Sequence, residues 1–389
     1  MKKIKYLDYY ILIPYLLLTC IGILMVYSAS SYIALQNFDQ AQYYFIRQTI
    51  FSIIGFISCF IVFRFRYALL KNKGIVSMAV IGIGIVLYLL LIFGQEKNGA
   101  KGWISIGSIG IQPAEFAKII VILYFSYFFS RKQKELINDY KRTLLTPSIL
   151  FFALIIFPVM LQPDVGGALI ILSIGVTLIF TSGVSYALGL TVGAIGIGSI
   201  MGLVGLVYKF GTRLPFLAEY QYNRFLAFWD PFALSQTSGM QLVNSYYALN
   251  RGGLFGVGIG GSVQKTGYLP EPYTDFIISI IGEELGLFGI LIVLFLIIFL
   301  ILRIYLIGIR SKDTFGALLC IGIATMLLIQ SSINLGGVLG LLPITGVTFP
   351  FISYGGSSTI VLAFSIGLVL NVSATDKMDK ERMVISKLK

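Results

Sequence analysis

The sequence predicts an all-α polytopic integral membrane protein: about ten transmembrane helices, with a long extracytoplasmic loop between helices 7 and 8. Three observations carry that expectation. The 389-residue chain is 57% hydrophobic and only 12% charged, with a mean hydropathy of +0.90. A soluble globule is closer to half apolar and a quarter charged. Charge-free runs of about 20 residues recur along the chain, the length a helix needs to cross hydrocarbon. Lys and Arg fall in short clusters between those runs, as topology signals do.

Taken in order, the runs place spans near 9–31, 46–63, 75–93, 113–130, 147–162, 165–181, 186–208, 275–302, 314–333 and 354–372. The first follows the basic segment Met1 to Lys5, and with no A-x-A site after it the run reads as a spanning helix rather than a cleaved leader. The uncharged stretch from Val165 to Tyr208 suits two helices hinged at the turn-rich TSGVS, Thr181 to Ser185. GGVLGLLPITGVTFPFISYGG is a poor continuous helix and reads as partly re-entrant. Residues 1–389 are expected to form a single membrane domain, with an outer loop over 209–274 and a tail over 373–389.

Ten spans put both ends of the chain on one side. With those ends inside, 20 of the 29 basic residues fall on inner segments, which assigns them to the cytoplasm and Asp275 to the outer membrane edge. The formal charge of +12 is distributed in these clusters, without the basic stripe of a nucleic-acid binder. The chain has no histidine, which excludes His-ligated metal sites and Ser-His or Cys-His catalysis. Cys20, Cys59 and Cys320 lie in separate apolar segments, with neither a disulfide framework nor a metal-ligand spacing.

The ionisable residues that remain gather on the outer side. Glu115 and Lys118, in QPAEFAK, share one helix face at i, i+3, either as a neutralising pair or as substrate contacts. Asp164, in QPDVGGA, sits at a tight outer turn where it either caps the next helix or faces a ligand; Asp275, in LPEPYTDF, poses the same choice. Glu283 and Glu284 lie deeper in an apolar helix without evident partners, which favours a structural or protonated role. The outer loop adds Arg213, Arg224, Arg251 and Lys265, with aromatics interleaved in YQYNRFLAFWDPF. Its glycine-rich RGGLFGVGIGG resembles a backbone phosphate cradle, though it matches no nucleotide fingerprint.

Several reactions would suit one carboxylate among cations at a membrane surface, and one that fits the aromatic, basic loop is glycosyl transfer from a lipid-linked sugar pyrophosphate. An inverting displacement needs a general base for the attacking hydroxyl. A pyrophosphate leaves as a stabilised anion, so cations or a divalent metal replace the acid that a hydrolase requires. A transporter that flips such a lipid would also use intramembrane ionisables, but would need a polar path to the inner leaflet. A non-catalytic scaffold would have no special need of Asp275.

The motifs GILMVYSAS, GAKGWI, QPAEFAK, QPDVGGA, YQYNRFLAFWDPF, GGLFGVGIG, LPEPYTDFIISIIGEELG and PFISYGGSS follow one another nearly end to end. In them the chain resembles the SEDS family of shape, elongation, division and sporulation proteins, most of all its Gram-positive division branch. The resemblance implies a peptidoglycan glycosyltransferase that polymerises lipid II on the outer face of the bacterial cytoplasmic membrane. It implies that the essential carboxylate of P-E-x-x-T-D-F is Asp275, supported by Glu115, Lys118, Asp164 and Arg224. Lys118, Arg224, Arg251 and Lys265 would offset pyrophosphate charge, and a divalent cation, Mg²⁺ or Mn²⁺, is compatible with the reaction. The implied partners are a class B penicillin-binding transpeptidase and other division proteins at the septum. Three positions depart from the family pattern: Gly102 replaces an Arg whose charge neighbouring Lys101 is expected to supply, Tyr273 replaces a His, and Thr348 replaces a Pro.

Overall fold

The structure is a computed structural model that describes residues 2–97, 100–107, 109–138, 140–183, 204–211 and 219–387, with isolated positions between 191 and 202. The expected span over 186–208 and Arg213 therefore lie mainly or wholly outside the described residues. The helices are α1 (Tyr9–Phe38), α2 (Tyr43–Arg64), α3 (Lys73–Phe93), α4 (Pro113–Asn138), α5 (Tyr140–Phe151), α6 (Phe157–Leu161) and α7 (Val165–Thr181). They continue as α8 (Glu219–Trp229), α9 (Met240–Gly252), α10 (Ile277–Arg310), α11 (Thr314–Val338) and α12 (Gly356–Lys387). One π-turn, Phe152–Ile156, joins α5 to α6, so Thr143–Leu161 forms a single span. Among the described residues eight helical segments are long and apolar enough to cross a membrane, and α7 is a shorter apolar helix beside them.

Burial sorts these helices into a centre and a rim. Only 28% of the apolar windows of α2 and α3 is buried in protein, against 72% for α11 and 78% for α12. The outward faces of α3 and α10 are apolar, as at Met78, Ile92, Phe93 and Phe295, which is the pattern lipid selects. The central helices instead carry buried polar groups, including Gln330, Asn334, Ser365 and Asn371. α12 packs along α2, and α10 lies between α1 and α11.

Charge gathers at one end. Asp8, before α1, is paired with Arg303 of α10 at 2.7 Å and with Lys377 of α12 at 3.0 Å. Asp313, which caps α11, meets Lys71 at 2.8 Å and accepts from the Tyr67 hydroxyl at 2.7 Å. This basic end is the one at which α4 delivers Arg131.

Three features differ from the sequence expectation. Residues 95–111 form a small antiparallel sheet of β1 (Gln95–Lys97), β2 (Ala100–Ile106) and β3 (Ile109–Ile111), in an otherwise helical chain. The alternation of ISI and IGI around a turn with Gly107 at φ 61° is a hairpin signal that the hydropathy count passed over. The segment 373–387, expected as a tail, continues α12 without interruption.

The third difference lies in α10. Gly286 adopts φ 68° and ψ −167°, which breaks the helix. The part from Leu287 to Arg310 is about 36 Å long at helical rise and crosses a bilayer by itself. Ile277 to Leu285 is thus a short extension, buried among protein rather than facing lipid. Its freed carbonyls are met by the glycine-rich loop: Val257 N–H donates to Glu283 O and Gly258 N–H to Glu284 O, both at 3.0 Å. Those amides are spent on the helix break, so they make no phosphate cradle.

Candidate active site

At the end of the bundle opposite the basic cluster lies a cavity of about 950 Å³, in the range that holds sizeable ligands. The PEPYTD segment forms one wall. Glu271 takes a positive φ of 52°, and the chain folds back so that Thr274 Oγ1 lies 3.2 Å from Glu271 Oε2 and 2.8 Å from Asp275 Oδ1. One hydroxyl proton serves one carboxylate at a time. Phe276 occupies the cap position of α10 and makes no capping bond, so Asp275 is not the helix cap. From α11, Asn334 Nδ2 donates to the carbonyls of Asp275 and Val347, each at 2.7 Å.

Burial pushes the Asp275 carboxyl above the ordinary aspartate range, while the Thr274 hydroxyl and the Arg224 charge pull it back. Glu271 is also raised, first by burial and then by the neighbouring Asp275 charge. Asp275 nevertheless keeps partial exposure to the cavity.

A second wall comes from the start of α4, where Pro113 opens the helix and Glu115 follows in its first turn. Lys118 Nζ sits 2.6 Å from Glu115 Oε1 and 3.4 Å from Gln330 Oε1, with only 2% of the lysine exposed. The other Glu115 oxygen is buried without a hydrogen bond. Glu115 and Lys118 are thus both an ion pair and part of the cavity lining.

Asp164 does cap its helix: Gly167 N–H donates to Oδ1 at 2.8 Å. Its second oxygen accepts from Gln112 Nε2 at 3.0 Å, and it too lines the cavity. Burial raises its carboxyl, opposed by the Gly167 amide and the Lys118 charge. Arg224, on α8, reaches the Thr345 to Val347 turn beside Gly346, and its charge acts on both Asp164 and Asp275.

An aromatic rim completes the cavity. Phe38 stacks on Tyr43 at 3.8 Å, Arg47 lies 4.3 Å over Tyr43, and Tyr44 packs 4.4 Å from Tyr273 and 5.1 Å from Tyr354. Burial, followed by the Glu271 charge, pushes the Tyr273 hydroxyl upward, so it stays neutral where the family pattern has an imidazole. Thr348, at the other departure, accepts from Gln330 Nε2 through its carbonyl at 3.1 Å, a contact any residue there offers.

Three expected contacts are not brought here. Lys101 has an exposed side chain on β2 and does not line the cavity, so it does not stand in for the absent Arg at Gly102. Arg251 pairs with Glu283 at 2.8 Å, and Lys265 pairs with Glu284 at 2.6 Å. The two glutamates expected to lack partners hold these two cations away from the cavity. Glu283 also accepts from Ser262 Oγ and the Val263 amide, and Glu284 accepts from Ser28 Oγ of α1 at 2.7 Å. Conversely, Glu271, Thr274, Arg47, Gln112, Gln330 and Asn334 join the site without having been singled out. Gln330 and Asn334, i and i+4 in an apolar helix, were the legible signal among them.

Among the described residues no three acidic or thiol groups converge as a metal site. The carboxylates of Glu271 and Asp275, both within reach of the Thr274 hydroxyl on the cavity wall, are hard oxygen donors of the kind that suit a Mg²⁺-like ion taking its remaining ligands from phosphate and water.

With this arrangement in place, comparison with known proteins is decisive for the family. A family model described as "Cell cycle protein", FTSW_RODA_SPOVE, matches residues 8–378. The chain belongs to the FtsW/RodA/SpoVE family. It is 40% identical over 387 residues to a Bacillus subtilis protein named probable peptidoglycan glycosyltransferase FtsW, covering 98% of this chain and 94% of that one. It is 37% identical over 366 residues to stage V sporulation protein E of the same organism, covering 94% and 96%. Among solved structures, a chain from a peptidoglycan synthase complex coordinating polymerization and crosslinking superposes with a TM-score of 0.74, at 26% identity, covering 95% and 98%. Rod shape determining protein RodA of Thermus thermophilus shares the fold, with a TM-score of 0.66 at 24% identity over 95% and 97%. This member of the family is a multi-pass membrane protein.

Proposed function

We propose that this protein is a peptidoglycan glycosyltransferase that polymerises lipid II by inverting transfer at the outer face of the cytoplasmic membrane, for septal wall synthesis. The observation that carries the reading is Asp275, a partly exposed carboxylate of raised pKa on the wall of a large cavity that also holds Lys118 and Arg224. A raised pKa makes the ionised form a stronger base. Asp275 takes the proton of the acceptor 4-hydroxyl on N-acetylglucosamine, and that oxygen attacks C1 of the donor N-acetylmuramic acid. The C1–O bond breaks with inversion, and undecaprenyl pyrophosphate leaves with both bonding electrons. Lys118 and Arg224 offset its charge. A divalent cation, Mg²⁺ or Mn²⁺, would be held by Glu271 beside Asp275, and would supply further neutralisation of the pyrophosphate. The aromatic rim offers flat faces for sugar rings.

Both ends of the chain lie in the cytoplasm in this reading, supported by the basic clusters at the bundle end opposite the cavity. The partners are a class B penicillin-binding transpeptidase and other division proteins. A flippase would need free polar groups along the whole path, whereas the ionisable side chains Asp8 and Asp313 at the basic end are paired. The test is polymerisation of purified lipid II by the protein with its transpeptidase. Glycan from wild type, and about 10²–10⁴-fold less from folded Asp275→Ala, is expected for loss of a general base. Equal polymer from both proteins would remove the chemistry.

A further inference from the structure

A second cavity, of about 140 Å³, lies at the basic end, between the last turns of α10, the start of α1 and the middle of α12. Its deepest charge is Asp8, 1% exposed. Both carboxylate oxygens are occupied: Arg303 donates from Nε at 3.3 Å and from Nη2 at 2.7 Å, Lys377 Nζ at 3.0 Å and Ser373 Oγ at 3.1 Å. Asp8 is therefore compensated and has little to offer a cation. Of the remaining charged groups in the lining, Asp376 alone is negative. Arg310 and Lys380 face the cavity with exposed side chains, and Arg310 makes no hydrogen bond or ion pair among the described residues. Four cations, with Arg303 and Lys377, stand against two carboxylates, Asp8 and Asp376.

The walls are not wholly polar. Leu306 and Ile307 form an apolar side. On the same end of α10, Leu302 is 62% exposed and Ile309 74%, and both continue the outward apolar surface of that span. The cavity thus sits where the hydrocarbon-facing part of α10 ends and its arginines begin. An anion reaching it from the side arrives through lipid, at headgroup level.

We propose that this cavity holds the phosphodiester headgroup of an anionic glycerophospholipid from the leaflet at the basic end. Arg310 presents its planar fork to the phosphate oxygens, Lys380 adds a point charge, and the glycerol carbons lie on Leu306 and Ile307. No residue of this site belongs to the Asp275 cavity, so the inference stands apart from the glycosyltransferase reading.

The full-length protein is purified in detergent with equal phosphatidylglycerol and phosphatidylcholine, and its retained lipid is quantified by mass spectrometry. Wild type is expected to enrich phosphatidylglycerol. Arg310→Gln with Lys380→Gln should lower the retained amount at least about fivefold, the scale of losing charge-assisted hydrogen bonds. Arg64→Gln with Arg66→Gln, an equal charge change on exposed residues at the same end, should leave it unchanged. Equal loss in both variants would mean diffuse surface attraction and overturn the site, as would unchanged retention in the first. Wild type alone supplies a second readout. Phosphatidylglycerol should raise its melting temperature relative to phosphatidylcholine, and glycerol 3-phosphate should not; a matching rise with the soluble phosphate defeats the lipid assignment.

Discussion

Asn334 Nδ2 donates to the backbone carbonyl of Asp275 and to that of Val347, both at 2.7 Å, and so ties together two neighbouring segments that both line the cavity. The contact positions the carboxylate without touching it. Asn334→Leu should lower lipid II polymerisation by about 10²-fold, as small misplacements of a reacting group do. Stability should fall by only about 1–3 kcal/mol, the cost of carbonyls left without a donor. Unimpaired polymerisation by this variant would show that the clamp is irrelevant to catalysis.

Asp275 also carries a stability cost. Its folded pKa is raised, mainly by burial, so the folded state resists ionisation more than the unfolded chain does. Stability is lost as pH rises from the unfolded value through the folded one, and at neutral pH the charge is a burden. Asp275→Asn should therefore melt at a higher temperature than wild type at pH 7 while losing polymerisation. A lower melting temperature would contradict the burial argument.

Arg224 lowers the Asp275 pKa through its charge. Replacing it with Gln should move the acid limb of the pH–rate profile to higher pH, because a general base acts only when deprotonated. The limb of wild type should itself lie above the ordinary aspartate range. A profile for Arg224→Gln that shifts toward acid would exclude Asp275 as the titrating base.

Lys265 and Glu284 form an ion pair in which both side chains are nearly inaccessible, at 7% and 0% exposure. Breaking such a pair from one side strands a charge and costs about 3–5 kcal/mol. Lys265→Met or Glu284→Leu should each lower the melting temperature strongly. The double variant should recover much of the loss, which a thermal-unfolding cycle measures directly. Additive losses would mean that the two charges do not act as a unit.

The spans were readable because lipid imposes a simple rule on them: an uncharged run of sufficient length. α7 begins and ends where the sequence places it, and the start of α4 presents Glu115 and Lys118 on one face as their spacing predicts. Asp164 and Asp275, equivalent by sequence, separate only in the structure. Asp164 caps α7, while Asp275 lies before a helix whose cap is Phe276. The fate of Glu283 and Glu284 was not legible, because their partners come from elsewhere in the chain. Ser28 meets Glu284 across 256 residues, and Arg251 meets Glu283 across 32.

Composition, charge distribution and motif order by themselves determined that this chain crosses a membrane many times, belongs with the SEDS proteins and carries the acids of its motifs toward one side. Those properties depend on local composition and on helical period, which are written along the chain. Tertiary structure decided which acids are free to act. Whether a carboxylate is paired, capping or open depends on groups brought to it through space, and the break at Gly286, which hands Arg251 and Lys265 to Glu283 and Glu284, leaves Asp275 facing the cavity with Lys118 and Arg224.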